Sequence, residues 1–238
     1  MSKLHVITPV KNSLETTLVT IDSVMSSVCG VDFSYTIYND FSTDKTTETL
    51  QAESEKQGFT LVNLKDFTEQ PSPNYLLVLQ MAQQKAIAED AHLLIIESDV
   101  ILGINTLQKM AENVTIHDKV GMVAAVTTDI NGKINFPYLY AKNFKSGIYE
   151  TKKRLSFCCT ILNINFLKSF DFNELNPEKN WYDVFISHKS VELGFSNYLL
   201  TSLPVLHLPH SSRPWKLLKY SNPLKYYWLK IIKKRDKI

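Results

Sequence analysis

Glycine is scarce in this 238-residue sequence, and the glycines that occur are widely separated. There are seven, and no two lie closer than 11 residues apart. A Walker phosphate loop and a dinucleotide-binding fingerprint both need clustered glycines, because their backbones approach phosphate oxygens closely. Both motifs are therefore excluded. A bound nucleotide would have to be held by side chains, a metal or ordinary backbone.

Cysteine and long apolar runs are also scarce. Cys29, Cys158 and Cys159 are the three cysteines, and their number and spacing fit neither a disulfide framework nor a metal motif. We interpret them as buried, reduced thiols of a cytosolic protein. No apolar stretch approaches the roughly 20 residues of a membrane-spanning helix. The amino terminus enters a strand-like run without a secretory h-region, so we expect the mature chain to begin there.

Charge divides the chain into two unequal parts. Residues 213–238 contain nine Lys or Arg and one acid, a net charge of +8, whereas residues 1–212 contain 17 basic and 23 acidic side chains, a net charge of −6. Such different pieces are expected to have different roles. We therefore predict a globular domain over residues 1–212 and a basic tail over residues 213–238.

Short apolar runs alternate with helical patterns through the first half of the chain. Predicted strands cover residues 4–8, 33–38, 59–64, 92–96 and 120–126, and the segments between them have helical periodicity or helix-capping residues. This alternation predicts an α/β fold of the Rossmann-like type, with a mostly parallel central sheet and helices on both faces. Beyond residue 127 the pattern is mixed, with strands at 155–162 and 198–208 and helices at 183–193 and from Asn222-Pro223 onward.

Polar residues gather where the predicted strands end. They occur at residues 8–12, 39–44 and 97–99, and later at Asp183 and at His207 and His210. Ligands of open parallel sheets bind beyond the carboxyl ends of the strands. The sequence therefore predicts one binding site formed by these segments.

Glu97 and Asp99 are the strongest candidates for metal ligands. Carboxylates two residues apart are no more frequent in this sequence than chance predicts, so the context of the pair decides. These two close a buried strand, where a carboxylate is costly without a partner. Two hard oxygen ligands suit Mg²⁺ or Mn²⁺ bridging a diphosphate. The alternative is that they cap the helix that follows Gly103.

Three segments resemble, in order and separation, the landmarks of family 2 glycosyltransferases with the GT-A fold. They are Val-Ile-Thr-Pro-Val-Lys-Asn at 6–12, Tyr-Asn-Asp-Phe-Ser-Thr-Asp at 38–44 and Ile-Ile-Glu-Ser-Asp-Val at 95–100. A weaker fourth landmark resembles residues 182–189 followed by Gly194-Phe195. The resemblance covers residues 3–212. The sequence departs from the family pattern where Phe41 replaces a glycine and Tyr182 replaces a glutamate.

This resemblance implies inverting, metal-dependent transfer of a sugar from a nucleotide-diphosphate donor, with a UDP-sugar favoured. Asp183 would be the general base, although it could instead complement the dipole of its helix. Asp99 and Glu97 would hold Mn²⁺ or Mg²⁺, with His207 or His210 completing the shell. The nucleotide-sugar would contact Thr8, Pro9, Val10, Asn12, Asp40, Ser42, Glu97 and Ser98.

The basic tail has the pattern of an interfacial helix. Its apolar residues lie at helical spacing and are bordered by lysines, as in helices that lie on anionic membranes; they are Leu224, Tyr227, Trp228, Ile231 and Ile232. We therefore expect a cytoplasmic protein, peripheral on the inner face of the plasma membrane. The stripe could instead pack on its own domain. No nucleic-acid recognition motif accompanies the charge, so we expect no nucleic-acid partner.

The resemblance thus implies a glycosyltransferase that modifies a saccharide or lipid-linked acceptor in surface polysaccharide or glycolipid synthesis. Two alternatives stay open. One is a nucleotidyltransferase of related fold, which would want a glycine-rich basic loop after the first strand, where Lys11-Asn12-Ser13 stands instead. The other is a non-catalytic nucleotide-sugar-binding or scaffold protein, which the Phe41 and Tyr182 departures motivate.

Overall fold

A computed structural model describes residues 3–117, 119–179, 181–208 and 222–232. Its contacts divide the chain into two units, Met1–Leu208 and Pro209–Ile238. The predicted boundary between residues 212 and 213 lies outside the described residues and stays a prediction. None of the helices in the described ranges is both long enough and apolar enough to cross a bilayer.

The first unit contains nine strands and six helices in the described residues. The strands are β1 (Lys3–Val10), β2 (Phe33–Asn39), β3 (Thr60–Asn63), β4 (Ala91–Ile96), β5 (Val100–Ile101), β6 (Val120–Thr128), β7 (Ile148–Glu150), β8 (Cys159–Leu162) and β9 (Ser196–His207). The helices are α1 (Leu14–Met25), α2 (Asp44–Gln57), α3 (Tyr75–Ala88), α4 (Thr106–Val114), α5 (Ile164–Ser169) and α6 (Tyr182–Glu192).

All nine strands form one sheet in the order β3-β2-β1-β4-β8-β6-β9-β5, with β7 also paired to β9. Strands β3, β2, β1 and β4 are mutually parallel, and β9 is parallel to β6. Strand β8 is antiparallel to both β4 and β6, and β5 and β7 are antiparallel to β9. Six of the nine strands therefore run in one direction, which confirms the mostly parallel sheet.

Apolar side chains cover both faces of the sheet. Along β4, Leu93 and Ile95 enter the core beneath α3, α5 and α6, and Leu94 and Ile96 enter the core beneath α1, α2 and α4. Side chains alternate between the two faces of a strand, so a strand with helices on both sides must be apolar throughout. This arrangement explains the continuous apolar run of β4 and confirms the prediction of helices on both faces.

The predicted strand at 155–162 is shorter than expected and begins only at Cys159. The backbone N–H of Leu155 donates to Oγ of Ser187, and that of Ser156 donates to Oη of Tyr138. Because side chains bind these donors, Leu155 and Ser156 do not join the ladder of backbone hydrogen bonds. Helix α5 and the short strands β5 and β7 were not predicted.

The second unit contains α7 (Pro223–Ile232) in the described residues. The backbone N–H of Lys225 donates to Oδ1 of Asn222 at 3.0 Å, so the predicted start of this helix at Asn222-Pro223 is confirmed. Residues 213–221 and 233–238 of the predicted tail lie outside the described residues. Interaction of the tail with a membrane stays a prediction.

Candidate functional site

The polar segments that were predicted to form one binding site lie at one edge of the sheet. Strands β1, β2, β4, β6 and β9 run the same way, so their carboxyl ends share this edge. Strand β8 runs in the opposite direction between β4 and β6, which places its amino end there. The backbone N–H of Glu97 donates to the carbonyl of Cys158 at 3.0 Å. The residues just after β4 and just before β8 therefore meet.

Pairing of β5 with the end of β9 brings a predicted carboxylate ligand to a predicted histidine ligand. Val100 is paired with His207, and the N–H of Leu208 donates to the carbonyl of Asp99 at 2.9 Å. As a result, Nε2 of His207 lies 3.2 Å from Oδ2 of Asp99 and 3.9 Å from Oε2 of Glu97. The other predicted histidine, His210, lies outside the described residues.

The ring of His207 is oriented by a backbone carbonyl. Nδ1 lies 2.9 Å from the carbonyl oxygen of Phe136, which can only accept, so Nδ1 carries a proton and Nε2 faces the carboxylates. Burial lowers the pKa of His207, but the hydrogen bond and charge of Asp99, the charge of Glu97 and the Phe136 carbonyl outweigh it and raise the pKa. Histidines that bind metals usually donate their second ring N–H in this way.

A cysteine that the sequence analysis treated only as a buried thiol joins the cluster. Sγ of Cys158 donates to Oε2 of Glu97 at 3.3 Å. One ligand atom each from Glu97, Cys158 and His207 lie within 4.8 Å of one another. Burial, followed by the charge of Glu97, raises the pKa of the thiol well above its usual value. The sequence alone could have suggested this contact only if β8 had been known to be antiparallel to β4.

The cluster has the chemistry of a divalent cation site. Asp99 is fully buried and Glu97 is partly buried, and an oxygen of each carboxylate lies within 4 Å of Nε2 of His207. Negative charge at such a position favours a bound positive charge. Carboxylates and imidazole are common ligands of Mn²⁺ and related ions. Nε2 of His207 lies 3.2 Å from the Asp99 oxygen and 3.9 Å from the Glu97 oxygen. Ligands of one metal ion have such separations, since metal–oxygen and metal–nitrogen bonds measure about 2.0–2.2 Å. The residues therefore fit a cation.

Hydrogen bonds of Asn12 and Ser42, two of the predicted nucleotide-sugar-binding residues, join the loops after β1 and β2. Oδ1 of Asn12 accepts from the N–H of Thr43 at 2.8 Å, and the N–H of Asn12 donates to Oγ of Ser42 at 3.0 Å. Asn12 and Phe41 have φ values of 55° and 54°, in the left-handed region that favours glycine. Phe41 thus keeps the backbone conformation for which the family pattern has glycine, at some cost in strain.

Asp40 is held by the loop that precedes α3. Its Oδ2 accepts from Oγ of Ser72 at 2.7 Å and from the N–H of Asn74 at 2.9 Å, and its Oδ1 accepts from Nδ2 of Asn74 at 2.8 Å. A carboxylate offers about four acceptor positions, and these contacts use three. Its predicted contact with a nucleobase or ribose stays a prediction.

The remaining predicted nucleotide-sugar-binding residues lie at the same edge of the sheet. Thr8 is buried and accepts from Oη of Tyr35 at 2.9 Å. Ser98 is buried against Oγ of Ser13 at 2.9 Å. Pro9 and Val10 belong to β1, and the carbonyl of Val10 accepts from the N–H of Asp40 at 2.8 Å. Their roles in ligand binding stay predictions.

Asp183, the predicted base, lies in the first turn of α6. Its Oδ1 accepts from the N–H of Val184 at 2.9 Å, and its Oδ2 lies 3.4 Å from Nη1 of Arg154. The guanidinium of Arg154 also lies over the ring of Phe136 at 5.7 Å from its centroid, and the Phe136 carbonyl binds His207. One arginine, which the sequence analysis missed, therefore connects Asp183 to the carboxylate and histidine cluster.

Comparison with protein families matches residues 5–171 to the family described as Glycosyl transferase family 2. Comparison with curated proteins found no match. Among solved structures, GalNAc-T7 with UDP, GalNAc and Mn²⁺ is 12% identical with a TM-score of 0.65, over 89% of this chain and 45% of that chain. Mannosyltransferase PcManGT from Pyrobaculum calidifontis with GDP-Man and Mn²⁺ is 14% identical with a TM-score of 0.66, over 96% and 64%.

A third structure, S. aureus TarS 1-349 in complex with UDP-GlcNAc, is 19% identical with a TM-score of 0.66, over 88% of this chain and 59% of that chain. At these identities the likeness shows a shared fold, which confirms the predicted GT-A architecture. The chain spans between 45% and 64% of the length of these three structures.

Proposed function

The chain belongs to glycosyl transferase family 2, and on that premise we propose that it transfers a sugar from a nucleotide-diphosphate donor to a saccharide or lipid-linked acceptor. The observation that carries this proposal is the meeting of Glu97, Asp99 and His207 at the edge of the sheet. The loops after β1 and β2, which are hydrogen-bonded to each other, lie at the same edge.

Asp99, Glu97 and His207 would hold the divalent cation, Mn²⁺ or Mg²⁺. When bound, the ion would neutralise the charge on the leaving diphosphate as a Lewis acid. The Phe136 carbonyl would keep Nε2 of His207 directed at the ion. His210 stays a proposed alternative ligand.

The nucleotide would be bound by the end of β1 through Thr8, Pro9 and Val10, by the loops after β1 and β2 through Asn12, Asp40 and Ser42, and by Ser98 after β4. We propose a UDP-sugar as donor. In support, the GalNAc-T7 and TarS structures were solved with UDP or UDP-GlcNAc. The mannosyltransferase was solved with GDP-Man, so a GDP-sugar is the donor to test beside it.

Asp183 would take the proton of the acceptor hydroxyl as it attacks the anomeric carbon from the face opposite the diphosphate, with inversion. Arg154 would orient Oδ2 of Asp183 for this step. A single displacement needs one base, which is consistent with one carboxylate at the start of α6.

We further propose that residues 213–238 bind the protein to the anionic inner face of the plasma membrane. Lipid-linked acceptors of surface polysaccharide or glycolipid synthesis would be available there. The lysine-bordered apolar stripe of this segment supports the proposal. None of the three cysteines forms a disulfide, which supports a cytoplasmic location.

The test is a donor panel assayed with the full chain. UDP-, GDP-, dTDP- and CMP-sugars are incubated with and without MnCl₂, and release of free nucleotide is measured without acceptor and with candidate lipid-linked acceptors. We expect metal-dependent release from one class of donor, UDP-sugars first. Asp99→Ala should abolish metal-dependent donor binding and release while circular dichroism shows an intact fold.

Asp90→Asn is the matched control. Asp90 lies just before β4, at the strand end opposite Asp99, and pairs with Lys168 at the surface. Its φ of 50° also suits asparagine. This variant should release nucleotide at the rate of the unaltered protein. Absence of release and binding for every donor, or full metal-dependent binding by Asp99→Ala, would refute the proposal.

A further inference from the structure

Cys158 is the member of the cluster for which the proposed function has no role. It is 2% exposed and precedes β8 at the edge that carries Glu97 and His207. Its Sγ contacts Oε2 of Glu97 at 3.3 Å and Oγ of Ser156 at 3.4 Å. By contrast, the adjacent Cys159 packs in the apolar core beneath α1, α2 and α4.

The sulfur lies where a ligand of the same ion would lie. One ligand atom each from Cys158, Glu97 and His207 lie within 4.8 Å of one another. Tetrahedral ligands at about 2.3 Å for sulfur and 2.1 Å for oxygen or nitrogen would stand about 3.4–3.6 Å apart. The Sγ–Oε2 separation of 3.3 Å and the Nε2–Oε2 separation of 3.9 Å are within about 0.5 Å of that spacing.

We propose that Cys158 coordinates the cation of this site through Sγ, together with Glu97 and His207. On coordination the thiol proton leaves to solvent and a sulfur lone pair forms the metal bond, with no change in oxidation state. A sulfur ligand favours Zn²⁺ and Co²⁺ over Mg²⁺, which prefers oxygen. The site would therefore discriminate among divalent ions in a way that the Glu97 and Asp99 pair alone would not. This inference rests on the cation of the proposed function.

Cobalt spectroscopy on the full chain tests the proposal without turnover. Bound Co²⁺ should show a near-ultraviolet sulfur-to-cobalt charge-transfer band. We expect the band in the unaltered protein and in a Cys29→Ser/Cys159→Ser variant, whose one thiol is Cys158. Cys158→Ser should lose the band. It should also bind Zn²⁺ at least about 10-fold more weakly, with Mg²⁺ binding changed far less.

Two results would overturn the proposal. One is Co²⁺ binding without the band in the unaltered protein, which would make Cys158 a hydrogen-bond donor that positions Glu97. The other is a band that persists in Cys158→Ser. If Cys158→Ser does not fold, the Cys29→Ser/Cys159→Ser variant tests the proposal by itself. Cys158 is its one thiol, so a charge-transfer band in its Co²⁺ spectrum supports coordination by Cys158, and Co²⁺ binding without the band refutes it. Failure of the proposed transferase activity would show in the donor panel and not in this spectrum.

Discussion

Acid should destabilise the fold through two histidines enclosed by the sheet. His5 lies in β1 and His92 in the adjacent β4, and their exposed fractions are 0% and 4%. Nδ1 of His92 accepts from the N–H of Ile164 at 3.1 Å, so the ring must be neutral at that nitrogen. Nδ1 of His5 lies 2.8 Å from Oγ of Ser34. Nε2 of each ring is buried with no hydrogen-bond partner among the described residues.

Burial lowers the pKa of both side chains from 6.5 to about 4; the charge of Lys85 also lowers that of His5, and Asp90 partly offsets the shift of His92. The unfolded chain therefore binds more protons than the native chain between about pH 6.5 and pH 4. The contribution of these two histidines to the free energy of unfolding is fully present above pH 6.5 and is lost as the pH falls through this window. One pH unit corresponds to about 1.4 kcal/mol, so each histidine should cost about 3 kcal/mol by pH 4.

His92→Asn isolates one of these contributions. The asparagine oxygen can accept from Ile164 without titrating. Denaturant unfolding at a series of pH values from 7.5 to about 4 gives the free energy of unfolding of each protein. We expect the unaltered protein to lose about 3 kcal/mol more than His92→Asn across this range. The control is His188→Asn, at an exposed position on α6, which should lose as much as the unaltered protein.

If the free energies of unfolding of His92→Asn and the unaltered protein differ by the same amount at all pH values, the reasoning is refuted. A constant difference would mean that His92 has the same proton affinity in the native and unfolded chains. A difference that grows in the opposite direction would mean that the native state prefers the charged ring.

Three further predictions concern the proposed base, the packing of the sheet and the tail. Asp183→Asn should lower turnover by about 100-fold with donor affinity nearly unchanged, because the amide keeps the shape but cannot take a proton; initial rates and donor titration measure this. Gly121→Ala should cost about 1–3 kcal/mol in denaturant unfolding, because its Cβ would overlap Oγ of Ser190 and lie 2.8 Å from Cβ of Phe195. Truncation after Ser212 should abolish sedimentation with anionic liposomes and spare donor binding, since each basic residue contributes on the order of 1 kcal/mol at such a surface.

Each of the three has a control and an outcome that contradicts it. Glu192→Gln, at the exposed end of α6, should keep full turnover, and a parallel loss of donor binding in Asp183→Asn would indicate a structural role. Gly103→Ala meets its nearest atom at 3.5 Å and should be nearly neutral; equal losses at both glycines would contradict the packing argument. Liposome binding by the full chain should weaken as salt rises. A truncated protein that sediments equally well would exclude the tail as anchor.

Long apolar patterns made most of the fold predictable. The runs that form β1, β2, β4 and β6 are each long enough to specify a buried strand without reference to their partners. Strands β5 and β7 have two and three residues and exist because β9 pairs with them. Their sequences alone contain too little periodicity to be recognised, and the same is true of the six-residue α5.

The candidate site was predictable where it follows the ends of parallel strands. Glu97, Asp99 and His207 were assigned to one site on that rule, and the structure brings them together. Cys158 and Arg154 were missed because they precede β8, whose direction is set by its neighbours β4 and β6. A strand of reversed direction presents its first residues, and not its last, at the ligand edge. Nothing in the local sequence specifies that direction.

The pairing of β9 with β6 and β5 has a consequence for the order of folding. His207 is separated from Glu97 and Asp99 by more than 100 residues of chain. We expect their contacts to form late in folding, because a long loop must close first. A nascent chain that ends before β9 would carry both carboxylates without the imidazole. Cation binding would thus report that the last strand has entered the sheet, and a chain arrested before this step would lack the complete site.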